Sequence, residues 1–127
     1  MLNRKGFTLV EIMIVVAIIA LLAAIALPNL LKARVAANDS SARGNLHSFA
    51  TIAETYASGE GIYGTWQDIV DAEYTTLVDP NTRVIGGHTY TATLGNAGYT
   101  ILADALPNVA RCSFTIVTGG QITEDCP

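Results

Sequence analysis

Residues 12–27 are sixteen consecutive positions without one polar side chain, inside a longer stretch, residues 7–27, that only Thr8 and Glu11 interrupt. Wound as an α-helix, residues 7–27 extend about 32 Å at ~1.5 Å per residue, close to the ~30 Å thickness of bilayer hydrocarbon. A segment apolar on every side is not the one-faced helix of a water-soluble fold, so a membrane-inserted helix is the first expectation. The chain around it is small. Its 127 residues, half of them apolar and only 14% charged, leave room for one modest domain and exclude a large multidomain enzyme. The formal charge of −4 grows more negative still if Arg4 and Lys5 are lost, so the basic footprint of a nucleic-acid binder is missing. A secretory signal cut at small residues fits poorly, because the candidate sites at residues 20–26 fall inside the apolar run.

Pro28 follows the run directly. It removes one backbone hydrogen bond and crowds the carbonyl four residues earlier, which predicts a kink. The helix is expected to continue past it, because apolar residues resume at helical spacing: Leu31, Val35, Ala42, Leu46, Phe49, Ala53 and Tyr56, with Lys32, Asp39, Arg43 and Glu54 off that stripe. One helix from near Phe7 to near Ser58 results, apolar all round in its first half and amphipathic in its second. Gly44 weakens it, and Ser58-Gly59 followed by Gly61 supplies the stop.

Residues 59–87 read as a connector rich in Gly, Thr and Asp with one short helical candidate. Thr65-Trp66-Gln67-Asp68 has the form of a capping box, and Trp66, Ile69, Val70 and Ala72 form a small apolar face ending before Tyr74. After Gly86-Gly87 the period changes to two. Tyr90, Ala92 and Leu94 alternate with Thr89, Thr91 and Thr93, and Tyr99, Ile101 and Ala103 alternate beyond the turn Gly95-Asn96-Ala97-Gly98. Two more runs, residues 112–118 and 121–125, are joined across Gly119-Gly120, which tolerate the positive φ of a tight hairpin. The fold class is α+β: one long N-terminal helix packed on a small C-terminal antiparallel sheet, the amphipathic half of the helix covering the sheet's apolar face.

Glu11 is the most informative single residue, because a carboxylate in an apolar helix is costly and marks a functional partner. The bland alternative leaves it at the membrane interface, reaching water. In the sharper reading it meets a cation, the nearest being a free α-amine at Phe7 if the chain is cut after Gly6. In a bundle of such helices the amine of one subunit neutralises Glu11 of another and sets the register.

The residues Lys5-Gly6-Phe7-Thr8-Leu9-Val10-Glu11, followed by the apolar run from Ile12, resemble the type IV pilin and pseudopilin signature. The likeness is close through about Arg34, including Pro28, and architectural beyond. It implies a lollipop-like fold in three parts: a leader at residues 1–6, a transmembrane and filament-core helix at 7–31, and a periplasmic or extracellular head at 32–127. It further implies that prepilin peptidase cuts between Gly6 and Phe7 and N-methylates Phe7, that Glu11 serves filament assembly, and that the partners are other copies of the chain and an inner-membrane assembly machinery.

Cys112 and Cys126 bracket the last hairpin. A three-residue loop of Thr118-Gly119-Gly120 sets them opposite each other, so a disulfide is geometrically reasonable in an oxidising compartment, two buried free thiols being the alternative. Such a bridge also resembles the C-terminal disulfide loop of type IV pilins, which pseudopilins usually lack. The remaining chemistry is thin. Gly59-Glu60-Gly61-Ile62-Tyr63-Gly64 matches GxGxxG by letter but follows a helix instead of a strand. His47 and His88 belong to no HExxH, CxxC or GxSxG pattern and are expected to be exposed or capping. Asp104, Glu124 and Asp125 could meet at the sheet edge around Ca²⁺, yet their spacing lacks loop-site order and solvated carboxylates are the better expectation. Asn38-Asp39-Ser40 is a sequon inside a helix, ill placed for modification. Phe49 and Tyr56 are read as packing residues rather than part of an electron-carrying stack.

The sequence therefore points to a structural subunit of a type IV pilus, held in the inner membrane before assembly and displayed on the cell surface afterwards. No enzyme activity, cofactor or metal is expected. The alternatives are a pseudopilin of a type II secretion system, forming a periplasmic pseudopilus, and a membrane-anchored periplasmic binding module that keeps its N-terminus.

Overall fold

The computed structural model describes residues 6–75 and 83–127. The leader expected at residues 1–6 lies outside them except for Gly6, as does part of the connector. Seven elements follow in order: helix α1 (Leu9–Glu60), helix α2 (Trp66–Asp71), and strands β1 (Val84–Ile85), β2 (His88–Gly95), β3 (Gly98–Ala105), β4 (Ser113–Val117) and β5 (Gln121–Asp125). The chain divides into two compact units, one through Ala33 and one from Arg34 onward.

In the first unit α1 carries apolar side chains on every side. Sixteen large ones, from Phe7 through Val15 to Leu31, are each more than half exposed. Pro28 lies inside the helix and does not end it. In the turn that the proline disturbs, the Asn29 side-chain amide donates to the Ile25 carbonyl at 3.2 Å.

In the second unit the same helix becomes one-sided. Ala42, Leu46, Phe49, Ala50, Ala53 and Tyr56 are buried at 3–4-residue spacing, as the stripe predicts, with Ala50 added. Leu31 does not join them, being 61% exposed, and Val35 is half-buried. The stop comes two residues later than expected. Gly61, with φ +79°, takes the left-handed position after Glu60, and its N–H bonds the Ala57 carbonyl at 2.9 Å. Thr65 caps α2 through a reciprocal box with Asp68: the Thr65 hydroxyl accepts from the Asp68 N–H and the Asp68 carboxylate accepts from the Thr65 N–H. Those bonds hold the Asp68 carboxyl below its ordinary range, the backbone bond contributing most. Trp66 and Ile69 are buried, whereas Ala72 is exposed.

The five strands form one antiparallel sheet in sequence order. β1 is a pair of residues that the connector reading missed, folded back on His88 and Thr89 by Gly86-Gly87. Both glycines have positive φ, which only a residue without Cβ adopts at little cost. Gly119 and Gly120 do the same between β4 and β5. The pleat sorts the sheet into two faces: Tyr90, Ala103 and Phe114 share one inner row, and Ala92, Ile101, Ile116 and Ile122 the next. The outer face carries Thr89, Thr91, Thr93, Thr100, Thr115 and Thr123. The inner rows meet α1 in one core whose hub is Phe49, edge-on to Trp66 and to Tyr90 at 5.5 Å each. Phe49 is 5% exposed, and replacing it by Ala should cost about 3–5 kcal/mol by cavity formation. Urea denaturation of the detergent-solubilised protein checks this; a midpoint equal to wild type would contradict the packing.

Candidate functional site: the apolar helix start and the stapled head

The start of α1 is a second capping box. The Thr8 N–H and hydroxyl both donate to Glu11 Oε2 at 2.7 Å, and the Glu11 N–H donates to Thr8 Oγ1 at 3.3 Å. The carboxylate at the edge of the apolar run is thus satisfied within its own helix, next to the exposed N–H groups and the positive end of the helix dipole. The sequence carries this signal as Thr-x-x-Glu, the counterpart of Thr-x-x-Asp at Thr65. Gly6 and Phe7 stand just ahead of the box, both exposed.

In the head, polar residues of α1 reach five separate pieces of chain. Asn38 donates to the Val109 carbonyl at 2.7 Å, so the sequon amide is already engaged. The Asp39 carboxylate accepts from the N–H groups of Arg111 at 3.1 Å and Cys112 at 3.4 Å. Arg43 pairs with Glu124 and lies 4.9 Å over the Phe114 ring. Asn45 donates to the Tyr90 hydroxyl at 3.1 Å. Burial holds that phenol above its ordinary range. Glu54 accepts from the Tyr63 hydroxyl at 2.9 Å and from the Gly119 N–H at 3.2 Å. This bond to the carboxylate is the main cause of a raised Tyr63 titration. Desolvation first, and the Glu54 charge next, push Tyr99 upward as well. Periodicity reveals none of these partners, which, Tyr63 apart, lie far away in sequence.

His88 corrects the expectation of an exposed or capping histidine. It is fully buried, with Nδ1 3.2 Å from the Gly86 carbonyl, Nε2 2.9 Å from the Cys112 carbonyl, and the Asp39 carboxylate 3.6 Å from Nε2. It ties the β1–β2 turn and α1 to the segment just ahead of β4 that carries the first cysteine. His47 is exposed, as expected.

Residues 1–27 match the family described as the prokaryotic N-terminal methylation motif. The type IV wide pilus major component PilA4 of Thermus thermophilus is 35% identical over 133 aligned positions, covering all of both chains. The chain belongs to the type IV pilin family. The type IV major pilin protein PilA of Myxococcus xanthus is 46% identical over 61 residues, which are 48% of this pilin and 28% of that protein. No solved structure matches it significantly.

The pilin head holds the disulfide. Cys112 and Cys126 are bonded, with Cα atoms 4.3 Å apart, and the pairing Ser113↔Asp125 beside them continues the register that sets the cysteines opposite. The free-thiol alternative falls. Asp104, Glu124 and Asp125 border a shallow depression of about 310 Å³, but Glu124 is paired with Arg43 and Asp104 accepts the Ser113 hydroxyl at 2.8 Å. Among the described residues, the His, Cys, Asp and Glu ligand atoms that cluster most closely are those of Cys112, Glu124 and Cys126. With both sulfurs in the disulfide, one carboxylate is left, too few donors for a metal site. Gly59 and Gly61 of the GxGxxG letters belong to the last turn and cap of α1, not to a phosphate loop.

Replacing both cysteines by Ser should destabilise the head by about 3 kcal/mol on the chain-entropy model. Thermal melts of the variant, and of wild type with and without reductant, measure this; equal melting temperatures would show that the bridge adds nothing.

Proposed function

We propose that this pilin is the structural subunit of a type IV pilus, made as a precursor, cut between Gly6 and Phe7, and N-methylated at Phe7. Residues 1–6 are the leader, 7–31 the membrane and filament-core helix, with Pro28 as its kink, and 32–127 the head. The observation that carries this reading is the division of labour within α1. Its first part exposes apolar side chains all round, while its second part is buried on one face under a disulfide-bonded head. An all-round apolar helix has two places to go, a bilayer or a bundle of its own kind, and a pilin uses them in turn. The names of both relatives, a pilus major component and a major pilin, support the same role.

Glu11 has a part in each state. In the precursor Thr8 satisfies it, which lowers the cost of holding a carboxylate at the bilayer edge. After cleavage the new α-amine of Phe7 offers a charged partner on a neighbouring subunit. Inner-membrane machinery extracts each subunit into the polymer, and the head faces the cell exterior.

Mass spectrometry of sheared surface filaments and of inner membranes tests the reading. N-methylated Phe7 together with Cys112 joined to Cys126 is expected in the sheared fraction. The processed peptide confined to the envelope would instead indicate a pseudopilus, and Met1 retained in the steady-state protein would remove the pilin role. Glu11→Val should leave insertion and cleavage close to wild type and strongly reduce filament yield; normal filaments from this variant would take Glu11 out of assembly.

A further inference from the structure

A groove of about 530 Å³ runs between α1 and the β4–β5 turn, walled by His47, Thr51, Glu54, Thr55, Tyr99 and Gly119. Two features of its lining are unfinished. Glu54 is half-buried and its two bonds come from neutral donors, Tyr63 and Gly119; among the described residues no cation pairs with it. Tyr99 is 3% exposed, and its hydroxyl lies beside the Glu54 carboxylate and the Gly120 backbone without a well-formed hydrogen bond to either. A carboxylate served only by neutral donors, with a loosely held phenol beside it, is what a planar, multiply donating cation completes.

We propose that this groove receives the Arg34 guanidinium of a second copy of the chain, an inference that rests on the filament reading above. Arg34 is exposed and, like Lys32 nearby in sequence, has no carboxylate partner among the described residues, whereas Arg43 is committed to Glu124. Arg34 and Glu54 are 20 residues apart on α1. At ~3.6 residues per turn and ~1.5 Å per residue, that separation is about 30 Å along the axis and roughly 200° around it. The two charges therefore face nearly opposite sides of the same helix. Parallel copies related mainly by translation meet through opposite sides, so a shift of about 30 Å brings one copy's Arg34 level with the next copy's Glu54 and facing it. Such a contact is heterologous and propagates along a filament instead of closing a dimer.

The helix surface beside the groove suits this approach. Ser48, Thr51, Thr55 and Ser58 each turn their hydroxyls back to the carbonyl four residues earlier. A Cβ built on Gly44 would meet nothing within 4 Å. The face is low and its hydroxyls are already engaged, leaving Glu54 as its anionic feature with the exposed His47 ring beside it.

The test uses cells producing the full chain. Arg34→Glu should lower sheared filament yield roughly tenfold or more while Arg34→Lys stays near wild type, and membrane levels of the disulfide-bonded monomer should be unchanged. Independently, filaments of the double variant Ala37→Cys, Thr55→Cys, which keeps Arg34 and places one cysteine a turn beyond it, should give with a short bis-maleimide a ladder of covalent multimers that neither single variant gives. Wild-type filament yield from Arg34→Glu, or intact double-variant filaments that remain monomeric after the reagent, overturns the contact. Absence of filaments from the wild-type chain instead overturns the filament reading and takes this inference with it.

Discussion

The dominant constraint on this pilin is that the first part of α1 has no side that water tolerates. Burying one large apolar side chain is worth about 1.5–3 kcal/mol, so sixteen of them exposed together represent a driving force on the order of tens of kcal/mol. Whole domains are stable by only about 5–15 kcal/mol. No local hydrogen bond or ion pair in the head competes with a term of that size. The surroundings of residues 7–31 therefore decide where the molecule can exist. The proposed sequence of membrane storage followed by polymerisation keeps the same surface away from water throughout, so extraction exchanges one apolar environment for another instead of exposing it.

The head solves a different problem with the same helix. A five-stranded sheet with an apolar inner face needs a cover, and the Ala42-to-Tyr56 stripe provides it around Phe49. Non-directional burial says little about which loop lies where. That information comes from directed polar groups on α1: Asn38 and Asp39 hold the approach to Cys112, Arg43 holds β5, and Glu54 holds both the chain after α1 and the β4–β5 turn. Buried His88 and the disulfide close the same corner from the sheet side. Each polar bond is modest in net energy, about 0.5–1.5 kcal/mol, but leaving a buried partner unpaired costs more, so the set selects one arrangement.

Regularities of short range were legible. The helix stripe from Ala42 onward, the capping box at Thr65, the strand alternation and the Gly119-Gly120 hairpin each depend on neighbours within a few positions, and the structure has them where their patterns lie. The register of the last hairpin followed from its loop length, which is why the cysteine pairing could be anticipated. The structure departs from the local patterns where signals compete or are very short. Of the Ser58-Gly59 and Gly61 stop, Gly61 is the residue at positive φ, and the helix runs through Gly59 to Glu60 because a helix tolerates one glycine near its end. β1 is two residues long, below any periodicity.

His88 shows most clearly what the sequence withholds. Its position at a strand start was visible, but its burial is set by Asp39 on the helix and the Cys112 carbonyl just ahead of β4, 49 and 24 residues away. The sequence by itself determined the apolar run, the processing signature, the α+β order and the hairpin that aligns the cysteines, because these arise from composition and contacts a few residues long. Only the tertiary structure decided which polar side chains of α1 staple which loops, that His88 is internal, and that Glu54 and Tyr99 share a groove. Those outcomes depend on packing a helix face against a sheet, where partners are chosen by three-dimensional proximity and carry no spacing rule along the chain.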